Sequence, residues 1–173
     1  MSAIDPNSPI AQPERSFASF LASFASSARG KDKAGLYREF CRSMKNWLEA
    51  SGVICAEAIS ADEFRVLEVS GRPPDSASPG RLPLGRLPVV RDALRSQKAA
   101  WINGWSAPIS SGGELLHARA IVAAPFGGEE GRVGIALAFH RDAGSAFSES
   151  QANEFAAVAA LAGSLVQNAA LLS

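Results

Sequence analysis

Between Ala118 and Leu172 the chain reads ARAIVAAPF, GGEEG, RVGIALAFHRD and then a long alanine-rich segment from Ser148 onward. No other stretch narrows the choice of fold as far. Two apolar runs of strand length joined by a glycine-rich, polar five-residue link predict an antiparallel hairpin. Phe147-Ser148-Glu149-Ser150-Gln151 predicts a helix start, with Ser148 capping the free backbone amides and Gln151 reaching back as its capping-box partner. A register with Ala124 opposite Gly134 and Val122 opposite Ala136 gives the hairpin two unlike faces. Ile121, Val133, Ile135, Leu137 and Phe139 make one face of large side chains. Ala120, Val122, Ala124, Gly134, Ala136 and Ala138 make the other, stripped of bulk. The helix offers Ala156, Ala159, Ala160, Ala162 and Gly163, so close helix-on-sheet packing is expected there.

Upstream the pattern is helical. Phe17, Phe20, Leu21, Phe24 and Ala28 recur at steps of three and four, and so do Leu36, Phe40, Cys41, Met44, Trp47 and Leu48 after a break at 29–33. The second helix is expected to close at Ser51-Gly52 on a left-handed glycine. Residues 53–60 and 64–70 then predict two strands. If Ile59 pairs with Phe64, one face carries Val53, Cys55 and Glu57 with Phe64, Val66 and Glu68. Its mixture of two carboxylates and a thiol suits either a partly wet pocket or an ordinary solvent-facing sheet surface. A loop over 71–85 contains Arg72 and Arg81, with Arg86 just beyond it. Pro88 opens a short helix to about Ser96, and 99–103 is a brief strand. Residues 104–117, rich in Gly, Ser and Pro, predict a mobile loop or lid. The first thirteen residues, with three prolines, are expected to form a flexible lead-in, leaving 14–173 as one domain.

Bulk properties exclude several classes. A chain of 173 residues with 47% hydrophobic residues and zero formal net charge has the makeup of an ordinary globular protein and shows no basic stripe for nucleic acid. It has neither a signal peptide nor the roughly 18 consecutive apolar residues of a membrane span, so a cytoplasmic location is expected. Cys41 and Cys55 are its two cysteines. They have no CxxC spacing, and His117 and His140 stand at no ligand spacing from them, so buried free thiols are expected and no metal site.

The order helix, helix, strand, strand, loop, short helix, strand, lid, strand, strand, long helix resembles that of GAF domains, the small-molecule sensor modules of signalling proteins. The residues that carry the resemblance are Leu36 to Trp47 leading into Val53 to Ile59, Val89-Val90-Arg91-Asp92-Ala93-Leu94 followed by Ala100-Trp101-Ile102-Asn103-Gly104, the strand Ile121 to Phe126, and Phe147 to Ala169. The resemblance implies an α+β fold with a central antiparallel sheet of five to six strands. It places the terminal helices on one face, and the short helix and loops over a ligand pocket on the other. Cys55, Glu57, Glu68, Trp101, Trp105 and His117 are the candidate ligand contacts; no catalytic residue and no cofactor is assigned. The NKFDE-type signature of cyclic-nucleotide-binding relatives is absent, as is the cysteine-histidine pair of bilin-binding members. Free methionine sulfoxide reductases of this family work with lid cysteines, and 104–117 contains none, so an enzyme is not expected.

The implied function is a sensory or regulatory domain of signal transduction. It would bind an unidentified small molecule and relay it through a homodimer of Phe17–Ala28 and Phe155–Leu172 to a C-terminal effector such as a histidine kinase. Phe155, Val158, Ala162, Leu165, Ala169 and Leu172 supply the seam. The pattern meets Ser173 without a capping glycine or proline, so the helix is expected to continue in a longer protein. A GAF-like dimerisation domain without ligand, and a small thiol-dependent methionine sulfoxide reductase using Cys55, are the competing readings.

Overall fold

The computed structural model describes residues 16–71, 80–104, 118–142 and 144–172, which include all the helices and strands named below. They comprise helices α1 (Phe17–Ala28), α2 (Lys33–Leu48), α3 (Pro88–Ser96) and α4 (Glu149–Leu172), and strands β1 (Gly52–Ala58), β2 (Phe64–Gly71), β3 (Arg81–Leu82), β4 (Ala100–Asn103), β5 (Ala120–Gly127) and β6 (Val133–His140). The strands form one antiparallel sheet in the order β3-β2-β1-β6-β5-β4. Helices α1, α2 and α4 cover what we term the inner face, and α3 with a 3-10 turn at Leu84–Arg86 covers the outer face. The fold is α+β, as the resemblance implies. No described helix is long and apolar enough to cross a membrane.

Local chemistry starts each long helix. Ser16 Oγ accepts from Ser19 N at 3.1 Å, and Asp32 Oδ1 accepts from Gly35 N at 2.8 Å. At α4 the capping box is complete: Gln151 N donates to Ser148 Oγ at 3.1 Å while Ser148 N donates to Gln151 Oε1 at 2.9 Å. Each such cap stabilises its helix by about 1 kcal/mol. The end of α2 differs from expectation. Glu49, not a glycine, takes the left-handed conformation at φ 52°, because Gly52 is already in β1, where the Phe139 ring lies over it with no room for a Cβ.

The closing hairpin pairs Ala124 with Ala136 and Val122 with Ala138, two residues from the expected register. Its faces are nonetheless the expected ones, because a shift of two leaves every side chain on its side. On β5 the small-residue face lies under α4. Gly163 shows how close the approach is: a Cβ there would stand 3.1 Å from Gly127 O. The β1–β2 hairpin departs further. Ala58, not Ile59, pairs with Phe64, which turns Phe64 and Val66 to the outer face; a bulge between Cys55 and Ala56 then returns Glu68 and Ser70 to the face of Cys55 and Val53.

The α4 stripe assigned to a partner is largely used within the domain. Phe155, Val158 and Ala162 are buried, with Phe155 5.7 Å from the ring of Phe40 on α2. The long helix of an isolated layer must bury an apolar stripe somewhere, and α2 with the sheet supplies the nearer surface. The apolar side chains that remain half-covered on this layer include Phe17, Phe20 and Leu21 of α1 and Leu161, Leu165 and Ala169 of α4.

Candidate ligand-binding face

On the outer face, alternate residues of the central strands meet α3 and its approach. Ile54 and Ala56 of β1, Ile121 and Ala123 of β5, and Ile135, Leu137 and Phe139 of β6 pack against Leu82, Leu84, Leu87, Val90 and Ala93. Pro88 begins α3 as the sequence predicts. The 71–85 loop expected from sequence contains β3, which pairs with β2 at Arg81 opposite Arg65 and Leu82 opposite Phe64. Arg81 and Arg86 stand in separate ion pairs, Arg81 with Glu63 at 3.8 Å and Arg86 with Asp62 at 4.0 Å. The buried members of this layer carry no charged side chain, so a molecule lodged between sheet and α3 would meet an apolar surface from them.

The inner face holds the polar candidates. Cys55 is buried in the helix-covered core, and Glu68, opposite it on β2, is half-buried. Glu57 is only 4% exposed. Its Oε1 accepts from Arg65 Nη2 and from Arg132 Nη1, each at 3.0 Å, so one buried carboxylate ties β1, β2 and the start of β6 together. Trp101 of β4 stands opposite Val122, an inner-face residue, and is 38% exposed. The structure thus brings Cys55, Glu57, Glu68 and Trp101 to the inner face, away from α3. Trp105, His117 and most of the expected lid lie outside the described residues, as does Arg72.

Three residues acquire roles that sequence reasoning missed. His140, at the end of β6, is 6% exposed and stacks on Phe147 with ring centroids 4.4 Å apart. Burial lowers its pKa below the usual histidine value, against a smaller opposing pull from Asp142. Asn103 clamps the chain before α4: its Nδ2 donates to Phe147 O and its Oδ1 accepts from Phe147 N, both at 2.8 Å. The motif Ile102-Asn103-Gly104 leading out of a strand was the available signal, but nothing local names Phe147 as the partner. Cys41 and Cys55 are the expected buried free thiols, but their sulfurs come within 3.6 Å of each other. Burial, and then the neighbouring Cys41 thiol, hold Cys55 firmly in its protonated form. Among the described residues no cluster of three or more metal-ligating side chains occurs.

Neither a protein-family model nor a curated protein sequence matches the chain. Solved structures do match by shape. A free methionine-R-sulfoxide reductase from Neisseria meningitidis, in complex with its substrate, is 14% identical with a TM-score of 0.72, covering 91% of this chain and 92% of its own. The GAF domain of a phosphoenolpyruvate-protein phosphotransferase from Coxiella burnetii is 12% identical with a TM-score of 0.70, covering 90% of this chain and 95% of its own. The phycoerythrobilin-bound GAF domain of a cyanobacterial phytochrome is 13% identical with a TM-score of 0.66, covering 92% of this chain and 99% of its own.

Proposed function

We propose that this chain, which has the GAF fold, is a regulatory domain of a signal-transduction protein, in which a small molecule held between the outer sheet face and α3 biases the helical layer on the other side. The observation that carries this reading is the sheet itself. β1, β5 and β6 alternate outer residues such as Ile54, Ile121 and Leu137 with inner residues such as Val53, Val122 and Ala138, so a displacement on one side is felt one residue later on the other. Close packing on both faces favours two discrete arrangements over gradual deformation. A signal requires that the ligand prefer one of them.

The lining favours a ligand with an apolar body. Trp105 and His117, which sequence places between β4 and β5, are its proposed polar and aromatic contacts. Cys55, Glu57, Glu68 and Trp101 respond through the sheet from the inner face. The change then passes to a second copy through the half-covered faces of α1 and α4, and on to an effector such as a histidine kinase. Native mass spectrometry of the purified protein tests the first step, with a retained small molecule as the expected result. A bare mass, together with no thermal shift against a broad metabolite panel, overturns it.

A ligand-free dimerisation domain is the second reading, favoured by how tightly Leu82, Leu84, Leu87 and Val90 fill the outer layer. It predicts a dimer in sedimentation with no ligand in any preparation. A thiol reductase is disfavoured, because both cysteines of the sequence lie in the inner layer and Cys55 keeps its proton, whereas the reaction needs a thiolate within reach of substrate. Turnover of free methionine sulfoxide that is lost in Cys55→Ser would reverse that judgement.

A further inference from the structure

Where α2 crosses β1, two thiols face each other in the core. Cys41 and Cys55 are 0% and 1% exposed, fourteen residues apart in sequence, and the Cys41 thiol donates to the Cys55 sulfur across 3.6 Å. We propose that this pair is an oxidative modification site, in which a hydroperoxide converts the two thiols to a disulfide that staples α2 to the sheet.

Geometry asks little of the reaction. A disulfide bond is about 2.05 Å long, so the sulfurs must close by roughly 1.5 Å. β1 is held on both sides by β2 and β6, so the movement falls to α2 and the cysteine side-chain torsions. The surroundings select the product. The inner core around these residues is apolar, with Leu36, Phe40, Met44, Val53 and Val122 in the same cluster. A neutral disulfide suits such a site, whereas a metal ion would need further ligands, and the described residues hold no cluster of three or more ligating side chains.

With a hydroperoxide the first thiol becomes a sulfenic acid, and the peroxide leaves as an alcohol, or as water from hydrogen peroxide. The second sulfur then attacks the first, the S–O bond breaks, and the oxygen departs as water carrying the remaining thiol proton. Together the sulfurs lose two electrons to the O–O bond. A dithiol reductant reverses the change. Because both sulfurs are sealed from solvent, the oxidant enters only when α2 opens from the sheet; the same opening hydrates the thiols and lets the first one ionise to the thiolate that attacks the peroxide, so the oxidation rate reports that opening. α2 also packs on α4, so the oxidised form fixes the helix against which α4 rests.

The test uses the wild-type chain, native, with hydrogen peroxide, followed by acid quench, alkylation in denaturant and mass spectrometry. Expected are a loss of 2 Da, protection of both cysteines from alkylation, a monomeric cross-link, full reversal by dithiothreitol, and a rise in thermal midpoint of about 6–12 °C. Free cysteines that persist under conditions oxidising the urea-unfolded chain would overturn the proposal. So would solely intermolecular cross-links, or a lowered midpoint. Cys41→Ala and Cys55→Ala must each lose the thermal gain; the alkylation result on the wild type stands even if either fails to fold.

Discussion

Tyr37 and His140 illustrate how burial converts single side chains into measurable liabilities. The Tyr37 hydroxyl has no hydrogen-bond partner among the described residues, and burial, with lesser contributions from Cys55, Glu57 and Glu129, strongly resists its ionisation. An orphaned buried hydroxyl costs about 1–3 kcal/mol, so Tyr37→Phe should leave stability unchanged or raise it by up to about 1 kcal/mol in urea unfolding. A loss above that would show a partner for the hydroxyl. His140 titrates in the opposite sense to a salt-bridged histidine. Its folded pKa lies below the ordinary 6.5, so the folded state favours the neutral ring. The stability it confers is complete above pH 6.5 and declines as pH falls from there towards the folded pKa. Urea midpoints at pH 7.5, 6.0 and 5.0 should decline, and His140→Gln should flatten the decline. Glu39 acts lower. Burial opposes its ionisation, but hydrogen bonds from Lys31, Arg42 and Ser43 outweigh that and hold its pKa below 4.5, so its contribution disappears only as pH falls beneath that value. At Glu57 the asymmetry of burial decides the ranking. Glu57→Ala should cost about 1.5–3 kcal/mol, whereas Arg65→Ala or Arg132→Ala, half-exposed and backed by the other arginine, should cost under about 1 kcal/mol.

Among the elements, α4 depends most on side-chain size. Its seat is β5, whose Ala120, Val122 and Ala124 lie in the same buried cluster, and overfilling such a surface costs about 1–3 kcal/mol. Ala159→Leu, at a fully buried position, should fall in that range. Gly134→Val should fall there or above, because a Cβ at Gly134 meets the Phe126 ring at once; thermal melts would separate both from a neutral surface control. The small-residue pattern was legible in the chain because strand alternation preserves it under a two-residue register error. The β1–β2 faces were not, since a one-residue difference in pairing inverts a strand and the bulge reinverts only half of it. Asn103 links β4, which leads directly into the predicted lid, with Phe147, the residue before the Ser148 cap of α4. Asn103→Ala should increase hydrogen exchange at Phe147 and the first turn of α4 while sparing the central strands. Unchanged exchange there would deny the clamp any role in fixing the helix start.

At the level of the whole molecule, the relay requires the inner layer to meet a second copy. Sedimentation at high micromolar concentration should show a dimer that Leu165→Glu weakens; a monomer throughout would remove the homodimer step and leave ligand binding untouched. The sequence by itself determined the order of the helices and of every strand but β3, the capping box at Ser148 and Gln151, and the two unlike faces of the closing hairpin. All of these depend on near neighbours in the chain or on a two-residue period. Only the tertiary structure decided which surface each face meets. It buried Phe155 and Val158 inside the domain when a periodic stripe alone could equally have served a partner, and it turned Cys55, Glu57 and Glu68 towards the helices. It also brought Cys41 to within 3.6 Å of Cys55 and joined Asn103 to Phe147. Contacts between residues fourteen to forty-four apart depend on how strands pair and helices cross, and no local pattern encodes those choices.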